Sequence, residues 1–84
     1  MIFVHKVGDF EKFKSRFESN ALLRKQFGST GATAYRSLEN PDEVVVISDW
    51  GNKEQAKKWS ESEQLKDSWK SVGATGLPKI YYID

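Results

Sequence analysis

The stretch Glu43-Val-Val-Val-Ile-Ser-Asp-Trp50 decides the fold. It is the most strand-like run in the chain, apolar and rich in β-branched residues, and reads as a central strand. Glu39-Asn-Pro-Asp42 precedes it as a compact turn, because proline is barred from a central strand and Asn and Asp favour turns. Asn52, with Gln55 three residues on, follows it in a pattern like a capping box and opens a helix.

Working outward from that strand, the spacing predicts a second strand over Gly31–Leu38, paired with it as a hairpin. Upstream, Ile2–Val7 reads as the first strand, and Asp9 is suited to N-cap the helix that follows. Phe10, Phe13 and Phe17 form one apolar stripe at helical spacing, with charged residues on the other faces. The stripe loses phase after Ser19-Asn20, which predicts a kink or a new helix begun at Asn20 and ended at Gly28. Downstream, the helix opened by Asn52 holds Ala56 and Trp59. Ser60-Glu-Ser-Glu63 offers a second start, and Leu65, Trp69 and Val72 make the next stripe before Gly73. Lys79–Ile83 is the last strand, with Pro78 at its first edge.

The order is β-α-β-β-α-β, and Gly28-Ser-Thr-Gly31 and Gly73-Ala-Thr-Gly76 sit at matching places in two βαβ halves. Right-handed crossovers then put the helices on one face of a four-stranded antiparallel sheet, with the first and third strands central. The expectation is a single ferredoxin-like α+β domain over residues 1–84. A four-residue hairpin loop would set Leu38 opposite Glu43, Tyr35 opposite Val46 and Ala32 opposite Asp49. Ala32, Ala34, Val45 and Ile47 would then share the helix-covered face. Thr33, Tyr35, Ser37, Val44, Val46, Ser48 and Trp50 would share the other, a face needing a cover or a ligand.

Totals narrow the function. A chain of 84 residues buries only about 60% of its unfolded surface, so its core is thin and a partner copy would help it. Thirteen basic against twelve acidic side chains make no electrostatic case for nucleic acid or a membrane surface. The absence of cysteine excludes disulfides and thiolate metal sites, and a single histidine makes no metal site. With no leader pattern and no apolar run long enough to span, a cytoplasmic protein is the default.

Candidate chemistry is sparse. The two glycine-rich turns run from helix to strand, the wrong end of the helix dipole for phosphate, and read as C-caps. Ile2–Val7 is similar to one RNA-binding signature, but Glu43–Trp50 lacks the basic and aromatic residues that would stack bases. His5 reads first as a half-buried strand histidine; its functional reading is a general base or hydrogen-bond donor facing the open side of the sheet with Phe3 and Val7. Trp59 and Trp69 lie at core spacing. Trp50, Tyr35 and Tyr82 (or Tyr81, by register) are less easily placed in a core and suit a small-molecule cleft or a dimer interface. Arg36 and Asp49 could pair across strands near the rim, with a solvated role the default.

The strand order in so short a chain, Val44-Val-Val-Ile-Ser-Asp-Trp50 leading into a helix, and Ile2-Phe-Val-His-Lys-Val7 followed by an aromatic-striped helix together resemble the dimeric α+β barrel superfamily. Within it the chain is similar to small antibiotic-biosynthesis-monooxygenase-like and cyclase-like proteins. The resemblance implies a homodimer with two sheets packed face to face and a cleft in each subunit. It implies cofactor-independent oxygenation or cyclisation of an aromatic or polyketide-like compound, with no cofactor and no metal. Haem-degrading members carry a ligand histidine on the second helical segment, which Ser62–Val72 lacks. On this reading His5 and Tyr35 are catalytic, removing a proton and stabilising an oxyanion, while Trp50, Trp69 and Tyr82 bind substrate. A non-catalytic ligand-binding or scaffold homodimer is the alternative, and RNA binding a distant third.

Overall fold

The computed structural model describes residues 1–83. Its order is β1 (Ile2–Lys6), α1 (Phe10–Ser19), α2 (Ala21–Gln26), β2 (Ser29–Arg36), β3 (Glu43–Trp50), α3 (Lys53–Ser60), α4 (Glu63–Ser71) and β4 (Thr75–Tyr81). The strands form one antiparallel sheet in the order β2-β3-β1-β4, with the first and third strands central as expected. The ferredoxin-like fold is therefore the one the strand order predicted.

Local chemistry starts and stops each helix where the sequence indicates. Asp9 accepts a hydrogen bond from the Lys12 amide (3.1 Å), and Asn52 accepts from Gln55 (2.9 Å). Ser62 accepts from Leu65 (3.2 Å), so the second start inside 60–63 is real. The first helical segment breaks at Asn20, whose side-chain Nδ2 donates to Ser68 of α4 (2.9 Å). Gln55 departs from a capping box: its Oε1 is buried without a partner, and its side chain lies against Gly28 and Gly51.

The hairpin register differs from expectation by one residue. Ala32 stands opposite Ser48, Ala34 opposite Val46, Tyr35 opposite Val45 and Arg36 opposite Val44. The Ser37 amide bonds to the Glu43 carbonyl (3.0 Å), so the loop takes in Leu38, which is 99% exposed. Since side chains alternate at every residue, that slip exchanges the two faces of β3. Val44, Val46 and Ser48 are buried beneath the helices with Phe3 and His5, while Val45 and Ile47 belong to the open face. The alanines do lie on the helix side, as small residues should. His5 does not face the open side; it is 4% exposed and covered by the helical layer.

Three further expectations change. Arg36 and Asp49 do not pair, because Asp49 stands opposite Gly31; Arg36 Nε instead donates to the Pro41 carbonyl (2.7 Å), and the guanidinium lies over the Phe10 ring. The last strand begins at Thr75, earlier than Lys79, and holds Pro78 within it. An edge strand tolerates that proline, and the register shift between Val4 and Lys6 lets β4 bulge around Gly76, whose φ is +69°.

The open face carries two cross-sheet rows, Tyr35–Val45–Val4–Lys79 and Thr33–Ile47–Ile2–Tyr81. The helix side holds two separate buried clusters. Met1, Ala56 and Trp59 pack with Phe27, Trp50 and Leu65, and Val7, Val44 and Val72 pack with Phe10 and Phe13. A gap separates the two clusters.

Gly28 tests this account of the α2–β2 turn. Its φ is +110°, and a Cβ there would come within 2.5 Å of the Gln55 side chain. Gly28→Ala is expected to lower unfolding stability by more than about 1 kcal/mol in urea titration, against near-neutral behaviour for Gly31→Ala, where the added atom meets nothing closer than 4.0 Å.

Candidate functional site

A cavity of about 60 Å³ lies between the sheet and the helices, in the gap between the two clusters. Phe3, His5 and Val46 form its floor; Phe13 and Phe17 of α1 and Trp69 of α4 close it from above. Leu65, Trp69 and Val72, the expected helical stripe, all line it. Trp69 is thus less a filler of the core than the wall of a hole in it.

His5 is held by geometry on both sides. Its Nε2 lies 2.9 Å from the Gly76 carbonyl, which can only accept, so Nε2 carries the hydrogen. In the neutral ring Nδ1 is then an acceptor, and it is buried without a partner. Phe3 and Trp69 meet the imidazole edge to face at centroid distances of 5.6 and 5.0 Å. The Trp69 indole Nε1, a donor only, is also buried and unpartnered. Leaving such a group unpaired costs on the order of 1–3 kcal/mol, and here an acceptor and a donor on neighbouring rings are both left so.

The lining also has a polar side. Ser68 Oγ accepts from Asn20 Nδ2 (2.9 Å) and Arg16 Nε (3.2 Å) and donates to the Gln64 carbonyl (2.9 Å), tying the Asn20 break to α4. Arg24, 8% exposed, donates to the Phe17 carbonyl (2.8 Å) and stacks its guanidinium 3.9 Å from the Phe17 ring centroid. Burial lowers the pKa of Arg24 from its ordinary value. Among the described residues, the cavity lining contains no carboxylate.

The other expected site residues fall elsewhere. Trp50 and Tyr82 border a larger depression of about 310 Å³ with Asn52 and Lys53. Trp50 Nε1 donates to Ser48 Oγ (2.8 Å), and the Tyr82 hydroxyl shares a hydrogen bond with Ser60 (2.8 Å), so their polar tips are already engaged. Tyr35 is 52% exposed on the open face of the sheet and lines neither cavity, so it does not meet His5. The larger depression is the weaker site. Among the described residues, two of the three buried unpartnered side-chain atoms, on His5 and Trp69, belong to residues lining the smaller one and none to its own lining. Asn20, Arg24 and Ser68 were missed from sequence. A helix break at a polar residue was the one available signal for Asn20.

Fold and cavity together define a small ferredoxin-like protein with an interior site beneath its helices. A family model described as antibiotic biosynthesis monooxygenase matches residues 3–70. The chain belongs to that family. Among solved structures, a protein from Bordetella bronchiseptica, provisionally assigned as an antibiotic biosynthesis monooxygenase, superposes with a TM-score of 0.77 at 19% identity, over 95% of this chain and 88% of that one. A second structure described as an antibiotic biosynthesis monooxygenase gives 0.72 at 9% identity, over 99% and 93%. A Deinococcus radiodurans protein with the same provisional assignment gives 0.58 at 13% identity, over 100% and 93%. At these identities the likeness is one of fold. No curated protein matches the chain. No helix among the described residues is long and apolar enough to cross a membrane.

Ser68→Ala would leave Asn20 Nδ2 without its acceptor in a buried setting. The expected loss is about 1–3 kcal/mol in chemical denaturation. Ser71→Ala, on the exposed side of α4, should stay within about 0.5 kcal/mol of the parent.

Proposed function

We propose that the protein binds a small organic molecule in the His5–Trp69 cavity and performs cofactor-independent oxygenation or cyclisation on an aromatic or polyketide-like compound. The observation that supports this most is the unpartnered pair, His5 Nδ1 as acceptor beside Trp69 Nε1–H as donor. A phenol or enol hydroxyl satisfies both: it gives its proton to Nδ1, and its oxygen accepts from the indole. The Gly76 carbonyl holds the imidazole in the tautomer that can take the proton. The anion left behind is held by the Trp69 N–H, the oxyanion role that Tyr35 is too distant to fill. In an oxygenation that anion is the electron donor to dioxygen; in a cyclisation it is the carbon nucleophile.

The cavity of about 60 Å³ is smaller than the roughly 150 Å³ that accommodates benzene in an apolar core. A ring-sized substrate therefore needs α1 to move. That helix is the loosest part of the cover, since none of its ten residues is fully buried. Movement of α1, or rotation of the two rings, also opens the sealed nitrogens to the substrate.

The open face supports the homodimer reading. Ile2, Val4, Val45 and Ile47 lie at its centre with Tyr35 and Tyr81 on the same rows, an apolar surface suited to a second copy of itself. We read the assembly as two sheets packed face to face, with the cavities on the outer, helix-covered sides.

Two measurements follow. With a substrate found by oxygen uptake over a panel of small phenols and anthrones, His5→Ala should lower kcat by about 10²–10⁴-fold, while Tyr35→Phe leaves it near parental; unchanged turnover in His5→Ala would sink the proton-transfer role. In native mass spectrometry the parent should be a dimer and Ile47→Lys a folded monomer. A parent that is monomeric at micromolar concentration removes the face-to-face assembly.

A further inference from the structure

Arg24 is a buried cation that no carboxylate among the described residues of the cavity lining offsets. Its one side-chain hydrogen bond among the described residues goes to the Phe17 carbonyl, which leaves its other guanidinium donors to solvent or a ligand. That bond and the stacking on Phe17 explain why the Arg24 guanidinium reaches from α2 to the C-terminal end of α1, where a cation also suits the helix dipole. They do not supply a counter-charge, and buried charges are ordinarily paired. Arg16 adds a second cation to the same lining, held by Ser68, on a residue exposed enough to carry the site to the surface.

Resting on the cavity reading above, we infer that the ligand is an organic anion: a hydroxyl or enol lies between His5 and Trp69, and a carboxylate pairs with Arg24 and Arg16. Most of the lining is apolar, through Phe3, Phe13, Phe17 and Val46, so the charge sits at one end of a hydrocarbon body. This disfavours cationic substrates, because among the described residues an ammonium group would meet no carboxylate in the lining and would face two guanidinium groups. It also gives Arg24 a function that its capping bond does not require, since a neutral donor could serve the Phe17 carbonyl.

Acetoacetate and acetylacetone test the charge. They are close in shape, and only the first carries a carboxylate. The diketone enolises the more readily, so a preference for acetoacetate comes from its charge and not from its enol content. Binding to the full chain is read from the Trp69 indole N–H resonance. Acetoacetate should bind at least about tenfold more tightly, the scale of one charge-assisted hydrogen bond. Arg24→Gln should bring the two to near parity without weakening acetylacetone, and Arg24→Lys should keep much of the preference. Equal binding by the parent, or a preference for the neutral diketone, overturns the anion inference while the cavity reading stands. If neither compound moves the Trp69 resonance at millimolar concentration, both readings fall together. The comparison on the parent decides the matter even if Arg24→Gln does not fold.

Discussion

β3 pairs on both sides at once, and its register settles which side chains the helices cover. Val46 stands opposite Phe3 on β1 and Ala34 on β2, and Val44 opposite His5 and Arg36. These pairs put a bulky floor beneath the helices at the centre of the sheet and small residues at its β2 side. A shift of one position would turn Val45 and Ile47 inward and expose Val44 and Val46, moving every partner with them. His5 is inside only because it is opposite Val44. The candidate site, the open apolar face and the two buried clusters all follow from this one alignment.

The cavity has a cost that the fold can bear. By the dependence seen in core truncations, about 60 Å³ of empty space costs on the order of 1–2 kcal/mol. That is a visible fraction of the roughly 5–15 kcal/mol that holds a small domain together. The side chains around the gap explain why it does not close. Ser68 and Ala74 are small, and Asn20 is tied to Ser68 by a bond that stops α1 and α4 from approaching further. The rings of Phe13 and Phe17 stack on one another, 6.0 Å apart, rather than inserting between Phe3 and Trp69. The polar layer thus props the helices apart and keeps room beside His5.

Where the chain spoke in local chemistry, it was legible. Asp9, Asn52 and Ser62 each mark a helix start by a side-chain oxygen one turn before an amide, and Gly28 and Gly73 end helices with positive φ. The two βαβ halves follow from those marks. The register was not legible, because loop length decides it and Ser37 and Leu38 are equally able to end a strand. Once Ser37 pairs with Glu43, Val44, Val46 and Ser48 turn inward and His5, opposite Val44, lies with them, while Tyr35 stays on the open face. The pairing of His5 with Trp69 was half visible, as two residues marked separately. Arg24 could not be found this way, since a basic residue on a short helix reads as solvated until the packing shows it buried.

The two faces of the sheet have opposite needs, and the proposed dimer reconciles them. A chain this short has little apolar surface to bury, and here part of the interior is left unfilled while Ile2, Val4, Val45 and Ile47 remain on the outside. Pairing of two open faces buries those residues and stabilises only the folded state, so assembly adds to unfolding free energy in proportion to its tightness. That gain is independent of the helix-covered side, which needs no further tightening. α1 can then remain a cover without a fully buried residue, loose enough to admit a ligand, because the stability it does not contribute comes from the far side of the sheet.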